Sequence, residues 1–171
     1  MGTRYRATGT SAGTPSYLAK HSVPEAPSDI IEQTKRDASG RTTVKRWRKG
    51  SLLGKGAFAK CYRVTDLAVN TDWACKIIQK SSLTKQRHKL KLQSEIKIHR
   101  SIFHKNVVRF EDVFEDEESV YIIMEFCPNQ TMLDLVKREK RLTEADTRRY
   151  MLQTLDAVRH MHQRNIIHRD L

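Results

Sequence analysis

Apolar residues are spaced in two different ways along this chain, and the change between them divides it. Residues 1–46 are rich in Ser, Thr, Gly, Ala and Pro and show little periodicity, the pattern of a disordered basic tail. From Trp47 onward, short apolar runs alternate with turn residues. Residues 51–54 and 59–66 read as two strands around a glycine turn, and residues 73–79 as a third after a turn containing Asn70 and Asp72. Leu90, Ile96, Ile98, Ile102 and Phe103 lie in a long basic segment without Pro or Gly, which predicts a helix. Residues 107–114 and 120–126 are two more apolar strands separated by an acidic turn, and Pro128 ends the second. Residues 131–140 predict a short helix. Thr143 and Asp146 make a capping box for a longer one, with Met151, Leu155, Val158 and His162 on one face. Ile166 and Ile167 read as a very short strand. The expected fold class is α+β: a five-stranded antiparallel sheet with one helix inserted after the third strand, then two helices.

Composition narrows the classes without choosing one. With 38% hydrophobic and 30% charged residues, the chain is neither wholly disordered nor collagen-like. No apolar run approaches the roughly 18 residues a membrane helix needs, so no membrane partner is expected. The first 20 residues lack the apolar core of a secretory signal. Gly2 is not an acylation site on this reading, because Arg6 stands where that motif has Ser or Thr. The scarcity of acids before Glu25 is shared with mitochondrial transit peptides, but no amphipathic helix emerges and a plain tail is the expectation. Cys61, Cys75 and Cys127 are an odd number and widely spaced, which gives neither a disulfide framework nor a metal pair and suits a reducing, intracellular setting. The net charge of +12 is unevenly placed. Residues 76–105 hold nine Lys and Arg against the single acid Glu95, whereas residues 111–118 hold six acids in eight positions. Such polarised surfaces leave nucleic acid as a minor partner, bound weakly and without base preference.

Three features carry candidate chemistry. Gly54, Lys55, Gly56, Ala57, Phe58 and Ala59 lie between two predicted strands, where glycines let backbone amides approach phosphate oxygens. A dinucleotide fold is disfavoured because a strand, not a helix, follows. A Walker loop is excluded because no Gly-Lys-Ser or Gly-Lys-Thr ends the run. Lys76 lies on the third strand with Ala74 on the same face, a small residue that leaves room for a flat base and an ammonium beyond it for phosphates. Glu95 either lies on the helix surface or turns inward to pair with Lys76. The final His168-Arg169-Asp170-Leu171 puts an aspartate where it could accept a hydroxyl proton.

Taken in order, the glycine loop, the strand lysine, the helix glutamate, the apolar strand into Cys127 and the His-Arg-Asp-Leu run resemble the eukaryotic protein kinases from Trp47 to Leu171. LGKGAFAKCY, SEIKIHRSIFHKNVVRFEDVFED and MEFCPNQTMLDLVKREKRLTEADTRRYMLQ are similar to the polo-like serine/threonine kinases. The resemblance implies a kinase N-lobe and the first helices of a C-lobe, ATP and Mg²⁺ as cofactors, and transfer of the γ-phosphate to protein Ser/Thr hydroxyls. It implies that Leu53, Cys61 and Ala74 roof an adenine pocket with Met124 as gatekeeper, and that Glu125 and Cys127 lie on the hinge. Lys76 would hold the α and β phosphates and pair with Glu95, and Asp170 would orient the substrate hydroxyl. For Leu53, Ala74 and Met124 the alternative is ordinary core packing. The family's catalytic-loop Lys and Asn, its Asp-Phe-Gly, its activation segment and the polo boxes do not occur in residues 1–171. The chain is accordingly expected to be a fragment, inactive alone, with the metal ligands beyond Leu171. A non-catalytic kinase-fold module is the alternative. Cytoplasm or nucleus, with centrosome or spindle, follows from the resemblance only.

Overall fold

The structure is a computed structural model that describes residues 29–129 and 131–171. The tail, transit-peptide and acylation readings for residues 1–28 lie outside the described residues.

Strand alternation builds the sheet. β1 (Ile30–Arg36), β2 (Thr42–Lys55), β3 (Ala59–Asp66), β4 (Thr71–Gln79), β5 (Phe110–Glu115) and β6 (Ser119–Glu125) form one antiparallel sheet in the order β1-β2-β3-β4-β6-β5. Register assigns the faces, because directly paired residues share one. Cys61 pairs with Lys76 and Ala59 with Ile78, and on the other side of β4, Ala74 pairs with Met124 and Lys76 with Ile122. That face carries an apolar cluster of Ile78, Leu83 and Ile122 packed against Leu92 and Ile96 of α1 (Gln86–Ser101). The opposite face buries Ile31, Trp47, Val64, Cys75 and Ile123.

The sheet has six strands, not five, and residues 30–46 are not tail. β1 pairs with β2 over its whole length, Ile31 opposite Trp47 and Gln33 opposite Lys45. β1 and β5 are the two edges, yet their side chains meet. Gln33 Nε2 and Lys35 Nζ both reach Asp112 Oδ2 at 2.6 Å, and Trp47 Nε1 donates to Gln33 Oε1 at 3.2 Å. The sheet twist has therefore curled the edges together over the Trp47 core. A fully buried Gln33 breaks the apolar alternation that marks a strand.

Other boundaries moved for local reasons. Residues 51–54 belong to the 14-residue β2. The 107–114 strand begins only at Phe110, and Ile166 and Ile167 are not in a strand. α1 starts without a side-chain cap and without an acid in its first turn, so packing of Leu92 and Ile96, aided by His99 and Arg100 near its C-terminal dipole, holds it. The reciprocal capping box lies at Thr131 and Asp134 of α2 (Met132–Glu139). At α3 (Glu144–His162) Thr143 accepts from the Asp146 amide. On α3, Ala157 and Met161 are buried, whereas Met151, Leu152 and Leu155 are exposed.

Burial raises the Asp112 carboxyl, but hydrogen bonds from Lys35, Gln33 and the Val113 amide outweigh it and hold the group below its ordinary value. A depressed carboxylate contributes stability above the unfolded pKa of about 3.9 and loses it as pH falls through the folded one. Asp112→Ala should cost about 1–3 kcal/mol at pH 7, because it leaves buried Gln33 Nε2 without an acceptor. Denaturant melts at pH 7 and pH 3 check this: the gap between wild type and variant should shrink in acid.

Candidate functional site

The glycine turn is closed by Gly56 N–H donating to Ala59 O at 2.8 Å. Neither Gly54 nor Gly56 is required by the fold itself. A Cβ on Gly54 would meet nothing within 4 Å, and one on Gly56 only Ala59 O at 3.6 Å. Gly50 differs: a Cβ there would lie 3.3 Å from the Arg63 carbonyl, so its glycine serves strand packing. Two glycines without an internal reason, on an open turn beside a cation, fit the close approach of an external phosphate chain. Leu53, Lys55, Ala57 and Phe58 are exposed around this turn, and the Phe58 ring lies 5.5 Å from His88 of α1.

Below the turn, the register brings four expected residues onto one face. Cys61, Ala74, Lys76 and Met124 are neighbours across β3, β4 and β6. Ala74 is buried and Met124 half-buried, packed against the Ile78–Ile122 cluster. Ile122, opposite Lys76 and buried, belongs with them. Sequence reading passed over it, although the period of two from Met124 would have found it. Glu95 turns inward from α1, its Oε1 2.5 Å from Lys76 Nζ. The pair is partly open to solvent, Lys76 31% and Glu95 51% exposed, so its value is positional more than stabilising.

At the far end of β6, Glu125 N–H donates to Arg109 O at 2.9 Å and its carboxylate accepts from Arg109 N–H at 3.1 Å. This clamp, which the sequence did not indicate, fixes the exit of β6 into the exposed Cys127. Burial pushes the Cys61 thiol up, partly offset by Lys76, and burial with the Glu125 charge pushes Cys127 up. Neither is poised as a thiolate.

Asp170 is exposed on the segment after α3, its amide donating to His168 Nδ1 at 3.3 Å. Arg169 has φ of 72°, a left-handed conformation costly for a branched-chain-free but bulky residue and typical of functional turns. Among the described residues no cluster of His, Cys, Asp or Glu could hold a metal ion, and no helix is long and apolar enough to cross a membrane.

Comparison with known proteins matches the protein kinase domain to residues 47–171. The chain belongs to the protein kinase family. The chain is 53% identical over 142 residues to the Probable serine/threonine-protein kinase CCRP1 of Zea mays, an overlap of 83% of this chain and 23% of that protein. It is 47% identical over 152 residues to the Probable serine/threonine-protein kinase PLK of Dictyostelium discoideum, covering 89% of this chain and 15% of that protein. To the Serine/threonine-protein kinase polo of Drosophila melanogaster it is 41% identical over 148 residues, or 86% of this chain and 25% of that one. The chain thus spans a quarter or less of the length of these relatives. Protein kinase domains use ATP with Mg²⁺. The open glycine turn and the Lys76–Glu95 pair fit the nucleotide's phosphates, whereas residues 1–171 contain no Asp-Phe-Gly to hold the metal.

Proposed function

We propose that this chain is the ATP-binding part of a polo-like serine/threonine kinase, which passes the γ-phosphate to protein Ser/Thr hydroxyls. The observation that carries the reading is the Lys76–Glu95 pair at 2.5 Å, set beside a glycine turn whose glycines have no structural reason. Bound ATP, with Mg²⁺, supplies the phosphoryl group. The chain's own residues do the positioning. Ala74, Met124 and Cys61 form the apolar wall for the base, with Leu53 at its rim and backbone groups of Glu125 and Cys127 at its edge. The amides of residues 54–59 and the Lys76 ammonium hold phosphate oxygens, and Glu95 keeps that ammonium from swinging out to water. Asp170 receives the hydroxyl proton of the acceptor. By the same likeness the protein acts inside the cell, in cytoplasm or nucleus and at centrosome or spindle, on protein substrates.

The test is labelled-phosphate transfer to casein by a polypeptide carrying this domain together with a kinase catalytic-loop asparagine and Asp-Phe-Gly. Glu95→Gln should lower kcat/KM by about ten- to a hundredfold, the worth of one charge-assisted hydrogen bond. A variant as active as wild type would remove Glu95 from the site.

The basic residues of 76–105 should also bind polyanions weakly. Counterion release makes that binding fall steeply with salt. Oligonucleotide titrations between low and physiological salt should show the steep slope and no base preference. Tight binding of one defined sequence at physiological salt would contradict this reading.

A further inference from the structure

His104, between α1 and β5, and His160, on α3, face each other with ring centroids 4.7 Å apart and planes tilted by 42°. His104 has only 13% of its side chain exposed, and its hydrogen bonds fix its protonation. The backbone N–H of Asn106 points to Nδ1 at 3.1 Å, so that nitrogen must offer a lone pair. The proton of the neutral ring then sits on Nε2, 3.4 Å from the Asp156 carboxylate. His160 is held in the same way. The Arg164 guanidinium, which can only donate, lies 3.2 Å from its Nδ1. Its proton is left on Nε2, which is buried without a partner, as is Asn106 Oδ1 in the facing 102–108 segment. Each ring is kept as an acceptor at Nδ1 by a donor that a second ring proton would push away.

We propose that His104 and His160 form a proton-operated latch between the 102–108 segment and α3, engaged while both rings are neutral and released when either takes a second proton. The Arg164 cation beside His160 opposes a second proton on that ring. Arg164 stands at His160, Asp156 at His104, and that carboxylate is already shared with Arg159 at 3.1 Å and Lys105 at 3.7 Å. Burial, Arg164 and His104 depress the His160 titration, with Asp156 opposing them. A base whose folded pKa is depressed contributes stability above its unfolded pKa, about 6.5, and loses it as pH falls through the folded one. The latch is therefore engaged near pH 7.5 and weakens in the range below about 6.5.

The latch joins the two halves of the candidate site. Residues 102–108 continue directly from α1, which carries Glu95, and α3 leads to Asp170. His99 ties α1 to the same segment through Val108 O at 2.8 Å. It is not a switch, because a carbonyl only accepts and the His99 ring donates to it whether neutral or charged. The inference does not depend on the kinase reading, since it concerns the contact between these segments alone.

The test is amide hydrogen exchange on the full chain at pH 7.5, 6.5 and 5.5, with rates corrected for the intrinsic pH effect. Protection of residues 102–108 and 157–166 should fall together, about tenfold for each unit by which the latched pKa lies below the released one. β3 and β4 should hold their protection. His104→Gln and His160→Tyr should each flatten the dependence, since neither new side chain takes a proton in this range. Protection that does not change with pH in the wild type, or a dependence that survives in both variants, overturns the latch. Ring titration of His160 in the wild type by NMR decides the matter without variants: a value below the ordinary histidine range supports the latch, and an ordinary or raised value overturns it.

Discussion

Lys76→Met should abolish phosphoryl transfer, lowering kcat by at least about a hundredfold, in a polypeptide that carries this domain together with the family's metal-binding motifs. The ammonium lies on the α1 side of β4 between Cys61 and Ile122, held by Glu95 at 2.5 Å. Nothing in phosphoryl transfer replaces a positioned cation, because positioning and charge stabilisation are most of the catalysis. Folding should hardly notice the change. A partly exposed ion pair is worth at most about 1 kcal/mol, and the methionine stem packs much as the lysine stem does, so Tm should move by only about 4 °C or less. Steady-state kinetics and a thermal melt on the same preparation separate the two effects. Activity close to wild type would take Lys76 out of the mechanism.

Residues 1–171 alone should show no turnover with ATP, Mg²⁺ and casein. The metal that bridges the β and γ phosphates is held in this family by an asparagine and the Asp-Phe-Gly aspartate, and this polypeptide contains neither motif. Asp170 is present but exposed, its amide held by one long hydrogen bond to His168. The same polypeptide should self-associate, because Met151, Leu152 and Leu155 present an apolar strip along α3. Size-exclusion chromatography with light scattering reads the association, and a radiolabel assay reads the turnover. Transfer that survives purification and disappears in Lys76→Met would contradict the argument.

How much of this was legible in the sequence differs between site and fold. The glycine turn, Lys76 and Glu95 could be placed because they are chemical residues at ordered spacings on elements with clear periods. The structure brings Lys76 and Glu95 into contact, settling whether Glu95 faces solvent or the sheet. Cys61, Ala74 and Met124 fell on the Lys76 face because alternation fixes register. β1 escaped because its inward positions alternate Ile31 with Gln33, a polar residue whose partner Asp112 is 79 positions away. Burial of a hydrogen-bonded glutamine leaves no hydrophobic signal. The 166–167 pair failed for the opposite reason: two isoleucines carry strand propensity but pair with no strand among the described residues. The His104–His160 contact had no signal at all, since it joins residues of two elements whose meeting is a matter of tertiary packing.

Methyl NMR of the full chain during an ATP titration tests the central claim most directly. Ala74 and Met124 lie on the Lys76 face, whereas Ile31 and Ile123 lie in the core on the opposite face. ATP should shift the Ala74 and Met124 methyls along one saturating curve, leave Ile31 and Ile123 nearly still, and lose affinity in Lys76→Met. Shifts that do not saturate at millimolar ATP, or that fall on Ile31 and Ile123 instead, would contradict a nucleotide site on this face.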